Sequence, residues 1–210
     1  MGKIEITKKV LGICATNCYT VVDTETKEAL IIDPADRADV LIHDWKEKGV
    51  TPQAVLLTHG HFDHIGALAD VKKEYPDIRV YAAAEEKDVM ESPALNLSSS
   101  FGAAFTAQAD IYLEDGAEIE VLGRTCKCLL VPGHTKGGMC YYFPEENVVF
   151  TGDTLFCYSV GRTDFPTGDA KALEDAIREK LFALPDETLV LPGHDAQTMI
   201  GKEKTGNPYF

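Results

Sequence analysis

Apolar and polar residues follow one another in short, regular patterns through the first quarter of the chain. Residues 3–10 alternate polar and apolar side chains, which is typical of a strand with one buried face. Two apolar runs, at 18–22 and 29–32, predict further strands, and the polar residues 23–27 between them predict a turn. Residues 36–48 place apolar side chains at helical spacing and predict a helix. The chain therefore opens with antiparallel strands followed by a helix.

The pattern then changes to the strand, helix, strand order of a parallel β-α-β unit. Apolar runs at 54–57 and 78–81 predict the strands, and residues 65–75 between them predict a helix that ends before Pro76. In such units, ligands bind at the carboxyl ends of the strands. The irregular segment 91–109 is predicted to be a loop, which either crosses the mouth of a site or only connects two elements.

A second series of elements begins at Ile111. It predicts an amphipathic helix at 169–183 and strands at 117–121, 125–131, 138–143, 147–150 and 188–191. Two β-rich halves with their own helices predict an α/β fold in which two sheets pack together and helices cover the outer faces. Because the chain has 210 residues, of which 45% are hydrophobic, we expect a single domain over 1–210.

Charge and cysteine content exclude some classes of function. A formal net charge of −14 disfavours nucleic-acid binding, and the acidic runs 85–88 and 145–146 are interpreted as solvated faces or turns. No run of about 18 apolar residues predicts a membrane span, and the first residues lack the apolar stretch of a secretory signal, so we expect a cytoplasmic protein. Reduced thiols are therefore expected for the six cysteines, which are Cys14, Cys18, Cys126, Cys128, Cys140 and Cys157. Core or surface-strand positions are expected for the pairs Cys14/Cys18 and Cys126/Cys128, which have no second pair at the spacing of a zinc finger.

Candidate metal ligands cluster directly after the apolar run 54–57. The segment 58–66 holds His59, His61, Asp63 and His64 within six residues. Imidazole and carboxylate groups suit zinc, iron or manganese, and this order of ligands can divide between two ions. The alternative, that these are solvated loop residues with Asp63 capping a helix, is disfavoured because four packed polar groups without an ion would be desolvated or mutually repelling.

Three more candidates follow apolar runs in the second half of the chain. His134 and His194 each come after a Pro-Gly pair, and Asp153 follows the predicted strand at 147–150. A strand that ends at such a turn fixes the direction in which the next side chain points. His43, in contrast, lies on the predicted helix 36–48, where an exposed or interfacial position is expected.

Taken together, these residues resemble the metallo-β-lactamase superfamily. Its five motifs are matched in order by Asp33, the segment 58–66, His134, Asp153 and His194. The resemblance implies a four-layer αββα sandwich that binds two divalent ions, with zinc expected and iron or manganese as alternatives. It also implies the ligand sets: His59, His61 and His134 for one ion, Asp63, His64 and His194 for the other, and Asp153 bridging both.

Within that superfamily, the chain is similar to the compact members of the glyoxalase II group. This resemblance implies a binuclear hydrolase of small thiolesters such as S-lactoylglutathione, in which a hydroxide between the metals attacks the carbonyl carbon and Asp63 belongs to the catalytic centre. Arg162 matches the basic residue that binds substrate in this group, although Asp164 could pair with it instead. Ala196 stands where glutathione-using relatives have a tyrosine, which puts specificity for the whole glutathione moiety in doubt.

Other functions remain open at this point. An iron-dependent persulfide (sulfur) dioxygenase keeps the same ligands and resembles residues 161–165, and a lactone or ester hydrolase would use the same metal chemistry. A non-enzymatic metal-binding module is a third class. A Cys157 nucleophile is disfavoured because no separate histidine is left to activate it.

Overall fold

Two six-stranded sheets form the centre of the protein, which we describe from a computed structural model over residues 2–210. The first sheet has the strand order β1-β2-β3-β4-β5-β6, antiparallel from β1 to β3 and parallel from β3 to β6. Its strands are β1 (Ile4–Leu11), β2 (Thr16–Asp23), β3 (Glu28–Ile32), β4 (Thr51–Leu56), β5 (Arg79–Ala83) and β6 (Ile111–Leu113).

The second sheet has the order β14-β13-β10-β9-β8-β7, and all its pairs are antiparallel except β10 with β13. Its strands are β7 (Glu118–Val121), β8 (Arg124–Leu130), β9 (Met139–Phe143), β10 (Val148–Gly152), β13 (Leu189–Pro192) and β14 (Thr198–Met199); β11 (Leu155–Phe156) and β12 (Ser159–Val160) form a separate hairpin. The helices are α1 (Ala38–Glu47), α2 (Phe62–Ile65), α3 (Leu68–Glu74), α4 (Lys87–Met90), α5 (Ala170–Ala176) and α6 (Ile200–Gly206).

Three buried clusters separate the four layers. In β3, Leu30 and Ile32 pack between the two sheets, whereas Ala29 and Ile31 face the cluster that contains Leu41 and Trp45 of α1. A third cluster lies between the second sheet and α5, where Leu173 and Ala176 contact the strands. Because nearly all of β3 is buried on both faces, its residues 29–32 form a continuous apolar run, whereas the equally buried β2 also includes polar side chains. The predicted αββα sandwich is therefore confirmed.

The prediction of one continuous helix over residues 65–75 is wrong. The chain forms α2 and α3 separately, because the amide of Ala67 donates to the carbonyl of Pro34 at 2.9 Å. A Cβ on Gly66 would collide with the carbonyl oxygen of Ala35, so the chain passes very close to this break. The contact is made by the segment after β3, and no local pattern in residues 65–75 predicts it.

Several short elements were not predicted from the pattern. They include β6, the β11–β12 hairpin, β14, α4 and α6, together with a 3-10 turn at Ser98–Phe101 inside the predicted loop 91–109. The helix predicted at 169–183 is present as α5 and then continues as a π-helical turn at Ile177–Leu181. Apart from α6, these elements have two to four residues and bury too little surface to leave a periodic signal; α6 has seven residues, but Ile200 is its only large apolar side chain.

The remaining sequence predictions concern single side chains. Cys18, Cys126 and Cys128 are buried in strands, and all six cysteines are free thiols, as expected. The expectation is wrong for Cys14, which lies in the turn between β1 and β2. His43 is exposed on α1 and lies 3.4 Å from Glu47, also as expected. None of the helices in residues 2–210 has the length and apolar character that a membrane crossing requires.

Candidate metal centre

The seven candidate ligands come from loops at the carboxyl ends of four strands. The segment 58–66 follows β4, and the loops after β8, β10 and β13 carry His134, Asp153 and His194. Parallel pairing of β10 with β13 places Asp153 and His194 side by side, while the packing of the two sheets brings segment 58–66 to the same edge. The structure therefore brings together every residue that the sequence nominated as a metal ligand.

Three histidines form the tightest group. His61 Nδ1 lies 3.0 Å from His59 Nε2 and 2.9 Å from His134 Nε2. All three side chains are buried. Burial lowers the pKa of His61 to about 3 and lowers the pKa values of His59 and His134 as well, so these imidazoles are neutral at physiological pH.

Asp153 lies between this group and a second one. Its carboxylate oxygens are 3.5 Å from His134 Nε2, 3.3 Å from His64 Nε2 and 3.4 Å from His194 Nε2. Asp63 Oδ2 completes the second group, 3.5 Å from His194 Nε2 and 3.6 Å from His64 Nε2. Asp153 is thus the one carboxylate of the seven that contacts histidines of both groups.

Hydrogen bonds on the outer ring nitrogens fix which nitrogen faces the centre. His64 Nδ1 donates to Asp33 at 2.9 Å, and His134 Nδ1 donates to the carbonyl of Arg162 at 2.7 Å. Thr58 Oγ1 uses its hydrogen on Asp33 at 2.6 Å, so it accepts from His59 Nδ1 at 3.1 Å. In all three rings a proton is held on Nδ1, so Nε2 is the nitrogen that faces the centre.

This donor set fits divalent cations. The nearest separations between potential donor atoms, 2.9 to 3.6 Å, are close to the roughly 3.3 Å expected between ligands of a tetrahedral ion with metal–nitrogen bonds of about 2 Å. His64 Nε2 and Asp153 Oδ1 are buried without a hydrogen-bond partner. A bound cation satisfies such converging lone pairs and carboxylates, which otherwise stay desolvated.

The carboxylates keep the second group charged. Burial opposes ionisation of Asp63, but His64, His194 and the hydroxyl of Thr16 outweigh it and lower the pKa of Asp63 to about 2. Burial likewise disfavours the charged forms of His64 and His194, yet the neighbouring carboxylates raise the pKa of His194 to about 9 and hold that of His64 well above its ordinary value. In the metal-free protein, protons on these two imidazoles therefore take the place of cations.

Comparison with known proteins agrees with this arrangement of ligands. A family model described as the metallo-beta-lactamase superfamily matches residues 11–194, which include all seven candidate ligands. The chain belongs to the metallo-β-lactamase superfamily. It is therefore a metallo-hydrolase of that superfamily with a cluster of side chains suited to binding divalent metal.

Two curated members of the superfamily are similar over nearly their whole length. A protein of Bacillus subtilis described as probable metallo-hydrolase YqgX is 38% identical over 202 residues, which cover 95% of this chain and 94% of that protein. The hydroxyacylglutathione hydrolase GloC of Haemophilus influenzae is 36% identical over 200 residues, 92% of each chain.

Solved structures of the superfamily superpose closely. The BLEG-1 B3 metallo-β-lactamase is 39% identical with a TM-score of 0.92, covering 98% of this chain and 99% of that one. TTHA1623 in a di-iron-bound form is 36% identical with a TM-score of 0.85, at 97% and 100% coverage. ETHE1 from Myxococcus xanthus is 31% identical with a TM-score of 0.82, at 97% and 83% coverage.

The candidate metal ligands of this metallo-β-lactamase superfamily member lie at the floor of a cleft. The cleft has a volume of about 430 Å³ and is open to solvent. Its walls are largely apolar and include Phe62, Leu97, Phe101, Phe156, Val160 and Phe165. Leu97 and Phe101 belong to segment 91–109, and the Phe101 ring stacks on Phe62 with centroids 4.4 Å apart. This segment therefore borders the site and does not merely connect two elements.

Arg162 lies at the edge of the cleft, where Asp164 already binds it. Its Nε and Nη2 donate to the two oxygens of Asp164, both at 2.7 Å. The guanidinium also lies 3.8 Å from the ring centroid of Phe165. Of the two alternatives that the sequence left open for Arg162, the local pair with Asp164 is the one formed.

Some residues of the site were not found by sequence reasoning. Thr16 Oγ1 donates to Asp63 at 2.7 Å, and Cys14 lines the cleft next to Asp63. The prediction that residues 85–88 form a solvated face or turn is wrong for Glu86, which is fully buried, whereas Glu145 and Glu146 lie in a turn as expected. No feature of the sequence distinguishes Glu86 from Glu85, since both lie in the short turn that follows β5.

Proposed function

We propose that this chain is a binuclear metal-dependent hydrolase that cleaves small thiolesters such as S-lactoylglutathione. The observation that carries the proposal is the pair of donor groups joined through Asp153 at the floor of an open cleft. Similarity to the hydroxyacylglutathione hydrolase of Haemophilus influenzae over 92% of both chains supports the substrate class.

In this proposal, each ion has three ligands of its own and shares Asp153. The first ion would be held by His59, His61 and His134, and the second by Asp63, His64 and His194. Zinc suits both sets of ligands. Iron is an alternative supported by the di-iron-bound relative, and manganese is a further alternative because it binds the same kinds of ligand. Bound divalent ions supply positive charge that lowers the pKa of water and stabilises negative charge developing on a substrate carbonyl oxygen.

The protein's own groups then orient the ligands and manage protons. Asp33 accepts hydrogen bonds from both Thr58 and His64, so it holds ligand imidazoles of both ions in fixed positions. Asp63 is ionised at neutral pH, because its pKa is lowered to about 2, and it can accept a proton but cannot donate one. A thiolate leaves without protonation, so a centre with no dedicated acid suits a thiolester.

The cleft walls would contact the acyl group and limit the access of bulk water. Phe62, Phe156 and Phe165 present apolar surface beside the ligands, and apolar walls strengthen the electrostatic interactions at the floor. A small, uncharged acyl group fits a cleft of about 430 Å³. We further propose a cytoplasmic location, where the six cysteines stay reduced, and a small-molecule partner, with no nucleic acid or membrane bound.

A second candidate is hydrolysis of a β-lactam amide, which is favoured by 39% identity to the BLEG-1 B3 metallo-β-lactamase. An amide leaves as an amine and needs a proton at that step, for which the ionised Asp63 is a poor donor. A further alternative is a persulfide dioxygenase, to which residues 161–165 are similar. Its reaction consumes oxygen, whereas the two hydrolytic reactions do not.

One panel of assays separates these reactions. Protein of known metal content is assayed without oxygen against S-lactoylglutathione, the same acyl group on a short uncharged thiol, a lactone and a chromogenic cephalosporin. A parallel assay measures oxygen consumption with glutathione persulfide. We expect that, without oxygen, the protein cleaves the thiolesters and that their kcat/KM is the highest of all the substrates in the panel. Oxygen-dependent persulfide turnover without thiolester cleavage, or a higher kcat/KM for the cephalosporin, contradicts the proposal.

A further inference from the structure

Glu86 is a buried carboxylate that the metal centre described above does not include. It ends the 3-10 turn Ala84–Glu86 after β5, and its side chain is 0% exposed. Its Oε2 accepts the amide hydrogen of Gly60 at 2.8 Å. Its Oε1 accepts the amide hydrogen of Gly137 at 3.0 Å and a short hydrogen bond from the hydroxyl of Thr135.

These three donors belong to two different ligand loops. Gly60 separates His59 from His61, and Thr135 directly follows His134. The two loops come from different sheets, and their histidines meet where His134 Nε2 approaches His61 Nδ1 at 2.9 Å. One carboxylate thus bonds to both of the loops that carry the three histidines of the first group.

The contacts leave no room for adjustment. A Cβ on Gly60 would lie 2.9 Å from Glu86 Oε2, and one on Gly137 would lie 2.7 Å from the backbone nitrogen of Glu86. Lys136, the nearest cation in the loop sequence, pairs with Asp88 on the surface at 2.7 Å. Burial raises the pKa of the Glu86 carboxyl, and the three converging O–H and N–H donors counter only part of that effect. Because these donors hold the carboxyl group from both sides, its position determines how closely the loops approach.

We propose that Glu86 is a positioning residue that sets the distance between the loop of His59 and His61 and the loop of His134, and so sets the affinity of the three-histidine site for its ion. The inference rests on the metal centre of the proposed function but not on the substrate. Glu86 acts through Gly60, Thr135 and Gly137 and does not contact the ion.

The direct test is Glu86→Gln, which preserves the size of the side chain. In this variant one carboxylate oxygen becomes an NH2 group, which faces either the amide N–H of Gly60 or the donors of the His134 loop. Two hydrogen-bond donors then point at each other, so at least one hydrogen bond is lost. We expect the affinity of the three-histidine site to fall about tenfold to a hundredfold, as for other groups that orient ligands, while the site of Asp63, His64 and His194 changes less than threefold. Competition with a chromogenic chelator measures both affinities for Zn²⁺. The visible absorption of the Co²⁺-substituted protein reports which site is altered.

Glu203→Gln is the matched control. Glu203 is also 0% exposed and accepts three hydrogen bonds, from Thr198 Oγ1 at 2.6 Å, Asn207 Nδ2 at 2.8 Å and the amide of Tyr158 at 3.0 Å. None of these donors lies in a ligand loop, so this variant should lose thermal stability and keep its Zn²⁺ affinities. Thr135→Val, which removes only the hydroxyl bond, should weaken the three-histidine site by about threefold to tenfold and provides the test if Glu86→Gln does not fold.

The outcomes separate this inference from the proposed function. Selective loss of Zn²⁺ from the three-histidine site in Glu86→Gln or Thr135→Val supports it, even if the wild-type protein cleaves no thiolester. Unchanged Zn²⁺ affinity in both variants overturns it. Equal weakening of both sites, or the same weakening in Glu203→Gln, also overturns it, because that result reports general destabilisation.

Discussion

At the scale of single residues, Asp153 has the most connected position in the cleft. Its two oxygens lie within 3.5 Å of Nε2 atoms from His64, His134 and His194. Burial disfavours its charged form, but the adjacent histidines outweigh that effect and hold its pKa well below the ordinary value. It therefore presents a full negative charge to both donor groups, which offsets repulsion between two cations.

We predict that Asp153→Ala binds at least one metal ion fewer per chain than the wild type. Without the shared carboxylate, two cations would repel each other with only one carboxylate, Asp63, among their ligands. Metal analysis after gel filtration without chelator measures the stoichiometry. Asp195→Asn, at a carboxylate that lines the cleft outside the donor groups, should retain the wild-type metal content. Two tightly held ions in Asp153→Ala would show that Asp153 does not bridge.

A second residue-scale prediction concerns selectivity for the thiol half of the substrate. Asp164 already accepts two of the five Arg162 N–H donors and pairs with its charge, which weakens the attraction of Arg162 for a glutathione carboxylate. A single charged hydrogen bond contributes at most about 3 kcal/mol, or roughly 150-fold. We expect the kcat/KM ratio between S-lactoylglutathione and the same acyl group on an uncharged thiol to stay below that value.

The variants of this pair give the direction of the effect. Arg162→Ala should lower the ratio by less than about tenfold, and Asp164→Asn should raise it because the guanidinium is released. A wild-type preference of several thousand-fold for the glutathione ester would contradict the prediction, since one arginine cannot supply it.

At the scale of elements, the ligands depend on turns that only glycine can form. Gly133, between β8 and His134, has a φ of +133°. Its carbonyl accepts the amide of Asp169 at 2.8 Å, at the start of α5. A Cβ there would lie 2.5 Å from both the backbone nitrogen and the Cβ of Leu173. The loop of His134 is therefore pressed against the N-terminal turn of α5.

We predict that Gly133→Ala lowers the free energy of unfolding by about 3 kcal/mol or more. Backbone strain at positive φ contributes about 1–2 kcal/mol, and overpacking against α5 adds a similar amount. Gly116→Ala isolates the first effect, because Gly116 has a φ of +73° with nothing within 4 Å of its Cβ position. It should cost about 1 kcal/mol in urea unfolding. Equal losses in the two variants would mean that α5 does not restrict the His134 loop.

At the scale of the whole molecule, the metal centre links the two sheets. Segment 58–66 follows a strand of the first sheet, and the other ligands follow strands of the second. Bound ions would therefore stabilise the sandwich as well as the site, because the unfolded chain does not assemble these ligands.

We predict that the stabilisation by metal grows as the pH rises from about 6 to 9. In the metal-free protein, the pKa of His194 is raised from its ordinary 6.5 to about 9. Protonated His194 therefore contributes to the free energy of unfolding, and this contribution is fully present below pH 6.5 and is lost as the pH rises through 9. That contribution is on the order of 3 kcal/mol. Metal binding needs the neutral imidazole of His194, so it becomes more favourable as the pH rises.

Calorimetric Tm values with saturating Zn²⁺ and with chelator, measured across this pH range, check the prediction. His43→Gln is the control, since His43 is exposed on α1 and away from the ligands. A difference in Tm that is constant with pH would contradict the assignment of His194 as a group that exchanges a proton for a metal ion.

The sequence by itself determined the layers of the fold and the identity of the candidate ligands. Nearly all of β3 and the second half of β4 are buried and leave continuous apolar runs, and the ligands follow the strands β4, β8, β10 and β13. These are local properties, because a strand's pattern and the turn that ends it depend on neighbouring residues. The order of the motifs then sufficed to indicate the superfamily.

Only the tertiary structure decided which groups support those ligands. Glu86 receives its donors from residues 26 to 51 positions away, His64 receives Asp33 from 31 positions away, and the break between α2 and α3 depends on Pro34. Contacts of this kind are set by how the two sheets and their loops pack, and they leave no periodic or compositional trace in either segment. Arg162 shows the reverse case, since Asp164 is two residues away and the sequence left two partners open. The folded loop determined that the guanidinium pairs locally, because bidentate geometry with Asp164 and contact with Phe165 are available together.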